Sequence, residues 1–226
     1  MLVDVSPLRP EDIRTHWVFA YGSLIWNPGF DYCRAELARL HGYHRAFCIG
    51  STRYRGTPER PGVVLGLDRG GACIGLAYQF STASREASIE ALFMREIPNW
   101  AERVYRPSIV QIRLANGEAV AALAFIAERQ SRWYRRLPDA EILKTLREAQ
   151  GQRGPNRDYA INTWQALCDR GVRDRKLERL ARLAGETSDA SAPIASDDIS
   201  VGASQAPSDT PLIPAGAGAA SRARVG

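Results

Sequence analysis

Up to Glu128, apolar residues fall in short runs separated by glycine-rich turns; beyond Pro138 they recur every three or four positions. A period near two marks half-buried strands, and a period near 3.6 marks amphipathic helices. The first pattern predicts strands over 16–21, 38–49, 62–67 and 73–80, the second of them bent or bulged around Gly42. Between the last two lies DRGG, which reads as a hairpin turn. A second hairpin joins 105–114 to 119–128 through ANGE, whose Asn116-Gly117 pair is the strongest short hairpin signal in the chain.

One helix interrupts the strands. STASREASIEALFMREIPNW supplies Ser/Thr N-caps and about three turns, and Pro98 bars continuation. A basic linker, 129–138, leads to three helices. The first, over 139–150, buries Ile142, Leu143 and Leu146, and the second, over 157–170, buries Ile161, Trp164 and Cys168. The third, over 174–184, buries Leu177 and Leu180. Strands with so few crossover helices predict an α+β fold, a small antiparallel or mixed β-barrel with helices packed outside.

Composition divides the chain in two. From Glu186 onward no aromatic residue occurs, and Ala, Ser, Gly, Pro and Asp dominate. Such a segment cannot bury enough apolar surface to offset its ordering entropy. The expected organisation is one domain over 1–185 and a disordered tail over 186–226. With 45% hydrophobic and 24% charged residues, the chain reads as a globular protein. No run of about 18 apolar residues suggests a membrane span. The start, MLVDVSPLRPEDIR, does not read as a signal peptide, so a cytoplasmic protein without a membrane partner is expected.

Charge and cysteines change this picture little. The net charge is +5, and the tail holds five acids against two arginines, so the body is the more basic part. Its arginines are scattered rather than gathered in an arm or helix stripe, which argues against a nucleic-acid partner and suits a small anionic substrate. Cys33, Cys48, Cys73 and Cys168 form neither a CxxC pair nor a zinc spacing and read as small buried hydrophobes. His41 and His44 would face opposite sides of a strand, so no metal site is expected there.

Two features carry candidate chemistry. In the first helix Ile89, Leu92, Phe93 and Glu96 follow one buried stripe. A carboxylate on that stripe loses hydration, which raises its pKa, and it stands in the last turn, where the helix dipole disfavours negative charge. It either pairs with an arginine such as Arg95, Arg103 or Arg106, or it serves chemistry. The other feature is VFAYGSLIW, where a strand ends in Gly22-Ser23. Such an end exposes backbone N–H groups that can receive an anion or a developing oxyanion. Neither a dinucleotide or P-loop fingerprint nor GxSxG occurs.

FAYGSLIWNPGF, GSTRYRGTPERPGVVLGL, FMRE and GPNRDYAINT, in that order over about residues 16–182, closely resemble the ChaC family of γ-glutamylcyclotransferases, in particular its bacterial members. The resemblance implies a γ-glutamylcyclotransferase-like barrel and cleavage of glutathione into 5-oxoproline and Cys-Gly, with no metal or organic cofactor. It implies Glu96 as general acid/base and Tyr21, Gly22, Ser23 and Leu24 as lining of the γ-glutamyl pocket. Tyr159 is implied as a further contributor; its other reading is a helix start where Asn156 caps and Tyr159 packs. Many family members read DHRGTP where this chain has Arg53-Tyr54-Arg55-Gly56-Thr57-Pro58, so the partner is glutathione or another γ-glutamyl peptide. A cyclotransferase for γ-glutamyl amino acids or amines, and a non-catalytic γ-glutamyl-binding module, are the alternatives.

The chemistry is consistent with that implication. The substrate's own α-amine attacks its own γ-carbonyl, so the nucleophile is tethered and no enzyme nucleophile is required. One carboxyl group can take the ammonium proton and return it to the leaving amine. An ordinary Glu and an α-ammonium differ by roughly 3.5 pKa units, about 5 kcal/mol against transfer. Burial raises a carboxyl by up to about 3–5 units and removes much of that mismatch.

Overall fold

The computed structural model describes residues 7–186. The expected tail over 186–226 lies, apart from Glu186, outside the described residues. Five strands close into a barrel in the order β1-β3-β2-β4-β5, with β3 also reaching β5. They are β1 (Trp17–Ala20), β2 (Tyr32–Ser51), β3 (Gly62–Phe80), β4 (Tyr105–Leu114) and β5 (Ala119–Ala127). Most pairings are antiparallel; the closing contacts, Val18 with Leu123 and Leu67 with Ile126, are parallel. The expected α+β barrel with mixed strand directions is therefore the observed fold. All four residues of β1 are buried, and Val18, Phe19, Ala20, Leu67, Leu123 and Phe125 are at most 1% exposed, which puts the core inside the barrel.

One expected turn is absent. Residues 62–80 form a single strand paired with β2 from Tyr32–Phe80 to Ser51–Gly62, and DRGG lies within it. Gly70 and Gly71 take φ of +101° and +71°, opposite Gly42 at +85°. Glycine adopts these values without a Cβ penalty, so both strands bend together instead of one reversing. The register shift between His41 and Tyr43 marks the bend, as the sequence around Gly42 predicts. The ANGE hairpin forms as expected, with Gly117 at φ +90° and its N–H donating to the Leu114 carbonyl at 2.9 Å.

Helix α1 (Arg85–Glu96) buries Ile89, Leu92 and Phe93 on one face, while Met94 on the other is 77% exposed. Phe93 meets Phe125 edge-on with ring centroids 5.5 Å apart, which docks the helix on β5. Beyond the barrel lie α2 (Asp139–Glu148), a two-residue hairpin of β6 (Gln150–Gly151) and β7 (Gly154–Pro155), α3 (Asn156–Cys168) and α4 (Arg175–Gly185). Helices α2 and α4 bury Ile142, Leu146, Leu177 and Leu180, largely as the pattern predicts.

Helix α3 is rotated relative to expectation. It buries Asn156, Tyr159, Ala160, Thr163, Ala166 and Leu167, whereas Ile161 and Trp164 are half-buried and Cys168 is exposed. A polar face can turn inward because each of its polar groups finds a partner there. Cys33 is exposed as well, so only Cys48 and Cys73 behave as the expected buried hydrophobes.

Candidate functional site at the mouth of the barrel

The end of β1 is held from three sides. Arg45, whose side chain is 4% exposed, donates through Nε to the Tyr21 carbonyl at 2.6 Å and through Nη2 to the Ile74 carbonyl at 2.7 Å. Its Nη1 pairs with Asp174 at 2.6 Å. The Tyr21 hydroxyl donates to the Phe125 carbonyl at 2.7 Å. Below the turn, the Tyr78 hydroxyl lies 3.2 Å from the Leu24 carbonyl and 3.1 Å from that of Ile25. Ser23–Ile25 then forms a 3-10 turn whose first bond runs from the Ile25 N–H to the Gly22 carbonyl at 3.0 Å. Among the described residues no acceptor meets the backbone N–H of Gly22, Ser23 or Leu24. The turn thus offers donors, as the Gly-Ser strand end predicts.

The second component is an uncovered strand edge. At Val63–Leu65, β3 pairs with β2 on one side only. Side chains supply the hydrogen bonds on the other side. The Asn156 amide accepts from the Val63 N–H at 2.7 Å and donates to the Val63 carbonyl at 2.9 Å. Tyr159 accepts from the Leu65 N–H at 3.1 Å, and Tyr105 donates to the Leu65 carbonyl at 3.1 Å. This corrects the reading of Asn156 as a helix cap. Pro155 holds the N-cap position, and the fully buried Asn156 acts as a substitute for a neighbouring strand.

Burial raises the phenol pKa values of Tyr21, Tyr105 and Tyr159, so all three stay neutral near pH 7. The Tyr21 and Tyr105 protons are used on backbone carbonyls. Tyr159 only accepts among the described residues, which leaves its O–H proton for a guest. Its oxygen lies where a Gly22 side chain would begin, 2.9 Å from an ideal Cβ. Gly22→Ala is therefore expected to cost about 1–3 kcal/mol in urea melts, because neither the pinned phenol nor the turn can yield freely. Adding Tyr159→Phe removes the obstructing oxygen, so the double variant should be more stable than the two single losses predict by addition.

Glu96 ends α1, one residue before its C-cap Ile97. Its side chain is 17% exposed and its Oε1 lies 3.2 Å from Arg95 Nε. Desolvation raises the carboxyl above the usual glutamate range, and Arg95 and Arg153 oppose that rise without cancelling it. The anticipated arginine partner is present, and the carboxyl is still one that holds its proton unusually well. Arg95 also donates to the Asn27 carbonyl at 2.6 Å and to Ser23 Oγ at 2.9 Å. It ties the glutamate's helix to the turn after β1.

A cavity of about 730 Å³ opens over these groups. Ser23, Glu96, Tyr105 and Tyr159 line both this cavity and a small recess beneath it, and the recess is completed by Tyr21, Gly22, Leu24, Leu65 and Phe125. The six residues singled out in the sequence are therefore brought to one place, with Tyr21, Gly22 and Leu24 reaching only the recess. Tyr105 and Arg45 carry no local signal: one reads as the start of a strand, the other as an arginine among many.

A neutral phenol, a carboxyl with a raised pKa and a turn of free N–H groups stand together here, and such groups are able to move a proton and to receive a carbonyl oxygen. Residues 16–187 match the family described as ChaC-like protein, and the chain belongs to that family. The glutathione-specific gamma-glutamylcyclotransferase of Escherichia coli is 34% identical over 165 residues, covering 73% of this chain and 70% of that protein. Gamma-glutamylcyclotransferase 2-3 of Arabidopsis thaliana is 31% identical over 173 residues, covering 73% and 86%. In fold, the chain is similar to the crystal structure of the yeast gamma-glutamyl cyclotransferase specific to glutathione. The TM-score is 0.68 at 21% identity, covering 74% of this chain and 94% of that one.

Proposed function

We propose that this protein is a γ-glutamylcyclotransferase that cleaves glutathione to 5-oxoproline and Cys-Gly in the cytoplasm. The names of the two relatives support the reaction class, and that of the Escherichia coli relative supports the substrate. The observation that carries the mechanism is the raised pKa of Glu96 in a cavity shared with the Ser23 turn and Tyr159.

Glu96, as carboxylate, takes a proton from the substrate's α-ammonium. The freed amine forms a bond to the γ-carbonyl carbon and closes a five-membered ring. Charge developing on the carbonyl oxygen is met by the N–H groups of the turn and by the Tyr159 hydroxyl. The bond from the γ-carbon to the cysteine nitrogen then breaks, and Glu96 returns its proton to that nitrogen. The ring nitrogen, which entered as an ammonium, gives up a second proton that the released Cys-Gly amine takes up, so the proton count balances; the only new bond to the γ-carbon is from the substrate's own amine. A carboxyl with a raised pKa suits both halves of this exchange better than an ordinary one.

Purified protein incubated with glutathione is expected to release equal amounts of 5-oxoproline and Cys-Gly, measured by mass spectrometry. Absence of 5-oxoproline from glutathione, γ-glutamyl amino acids and γ-glutamylamines alike rejects the enzymatic reading. Release from the amines but not from glutathione rejects the substrate.

A further inference from the structure

The outer wall of the cavity carries more positive charge than the reaction requires. It is lined by Arg53, Arg55, Arg95 and Arg153 against two acids, Glu96 and Glu102. Both acids have arginine partners: Glu96 has Arg95, and Glu102 has Arg132 at 3.8 Å. Among the described residues, Arg53, Arg55 and Arg153 form no ion pair.

These three arginines are not equivalent. Arg55 is buried and donates through Nη1 to the Pro155 carbonyl at 3.0 Å, so it steadies the start of α3. Arg53 and Arg153 are exposed to the cavity and share one ring, with guanidinium carbons 5.3 Å and 4.0 Å from the Tyr54 centroid. Two like charges over one aromatic ring repel each other, and an anion between them relieves that repulsion. The ring attracts each cation and fixes where it can stand.

The backbone beneath them is locked. The Gln152 N–H donates to the Arg53 carbonyl and the Arg153 N–H to the Tyr54 carbonyl, both at 2.9 Å. At Gly151 an ideal Cβ would lie 2.5 Å from the Tyr54 carbonyl carbon, so only glycine allows the β6–β7 hairpin to press so closely on the 53–54 loop. Arg53 Nε donates to Gln152 Oε1 at 3.3 Å. Arg153 is near enough to Glu96 to bear on the carboxyl's proton affinity. A dipeptide arm leaving the γ-carbonyl spans at most about 7 Å, within the compass of this cavity.

We propose that Arg53 and Arg153, braced on Tyr54, form a seat for a free carboxylate at the far end of the substrate. The inference rests on the cyclotransferase reading and narrows its substrate class to γ-glutamyl peptides that end in a carboxylate, over γ-glutamylamines and peptide amides. Arg–carboxylate hydrogen bonds are charge-assisted and geometrically selective, so the far end of the substrate is where discrimination arises.

The test compares glutathione with its C-terminal amide, which differs only in the terminal charge. The wild-type kcat/KM is expected to favour the acid by about tenfold to a hundredfold. In the Arg53→Gln/Arg153→Gln variant that ratio should fall toward one through a higher KM for glutathione, while any change in kcat from the loss of Arg153 beside Glu96 should apply to acid and amide alike. A Gly151→Ala variant should move the ratio in the same direction. Both side chains are exposed, so the double variant should melt with the wild type. Equal turnover of acid and amide by the wild type, or an unchanged ratio in the folded double variant, overturns this proposal alone. No 5-oxoproline from either compound overturns the cyclotransferase reading and this proposal with it.

Discussion

Glu96→Gln is expected to lower kcat for glutathione cyclisation by about 10²–10⁴-fold while leaving the melting temperature at or above that of the wild type. The amide keeps the shape and most of the packing of the carboxyl but can neither take nor return the proton. Its effect on stability follows from the raised pKa. A carboxyl whose folded pKa lies above its unfolded value favours folding fully below the unfolded pKa, and that contribution is lost as pH rises through the folded pKa. At neutral pH the wild type therefore carries a desolvated charge that the glutamine variant does not. In acid the two should converge, because Glu96 is then protonated in both states. The acid limb of the wild-type kcat/KM profile should accordingly lie above the usual glutamate range near 4.3. A variant with near-normal turnover, or one that melts far below the wild type at neutral pH, counts against the role given to this residue.

Asn156→Ala is expected to have the largest effect on stability, a loss of about 2–5 kcal/mol in urea or thermal melts. The side chain is 0% exposed and satisfies both the N–H and the carbonyl of Val63. Its removal leaves two buried backbone groups without partners, at about 1–3 kcal/mol each. For a domain of this size that corresponds to a fall of roughly 4–20 °C in Tm. Asn156→Asp keeps the acceptor for the Val63 N–H but loses the donor, and it should fall between the two. Because the Tyr159 bond to Leu65 lies along the same edge of β3, activity should decline with stability in this series. An alanine variant that melts with the wild type would show that the edge does not depend on this amide.

Much of the site can be read from local pattern, and the remainder could not be. Glu96 announces itself because a helical period makes a stripe, and a carboxylate on that stripe violates it. Gly22-Ser23 is visible for a similar reason, as a strand that ends in residues suited to exposing backbone. Asn156 shows the opposite case. Beside a proline and ahead of a helix, its local context favours capping, and only the uncovered edge of a strand far away in sequence claims its amide instead. The same edge turns α3, since Tyr159, Thr163 and Asn156 face inward to meet partners that no window of the helix contains. Thr163 receives a hydrogen bond from Trp26 Nε1 at 3.1 Å, one more tie between the turn after β1 and this helix.

By itself the sequence determined the α+β class, the ANGE hairpin, the bend at Gly42, the helices within a residue or two, and the glutamate on an apolar face. These follow from periodicity and turn chemistry, which act over a few neighbouring residues. Tertiary structure decided that 62–80 is one strand, that its Val63–Leu65 edge is met by side chains, that Tyr105 and Tyr159 converge on the cavity, and that Arg45 braces the end of β1. It also set Arg53 and Arg153 about one tyrosine ring. Those outcomes depend on barrel closure, which sets which strand edges stay open and which distant side chains lie near enough to satisfy them.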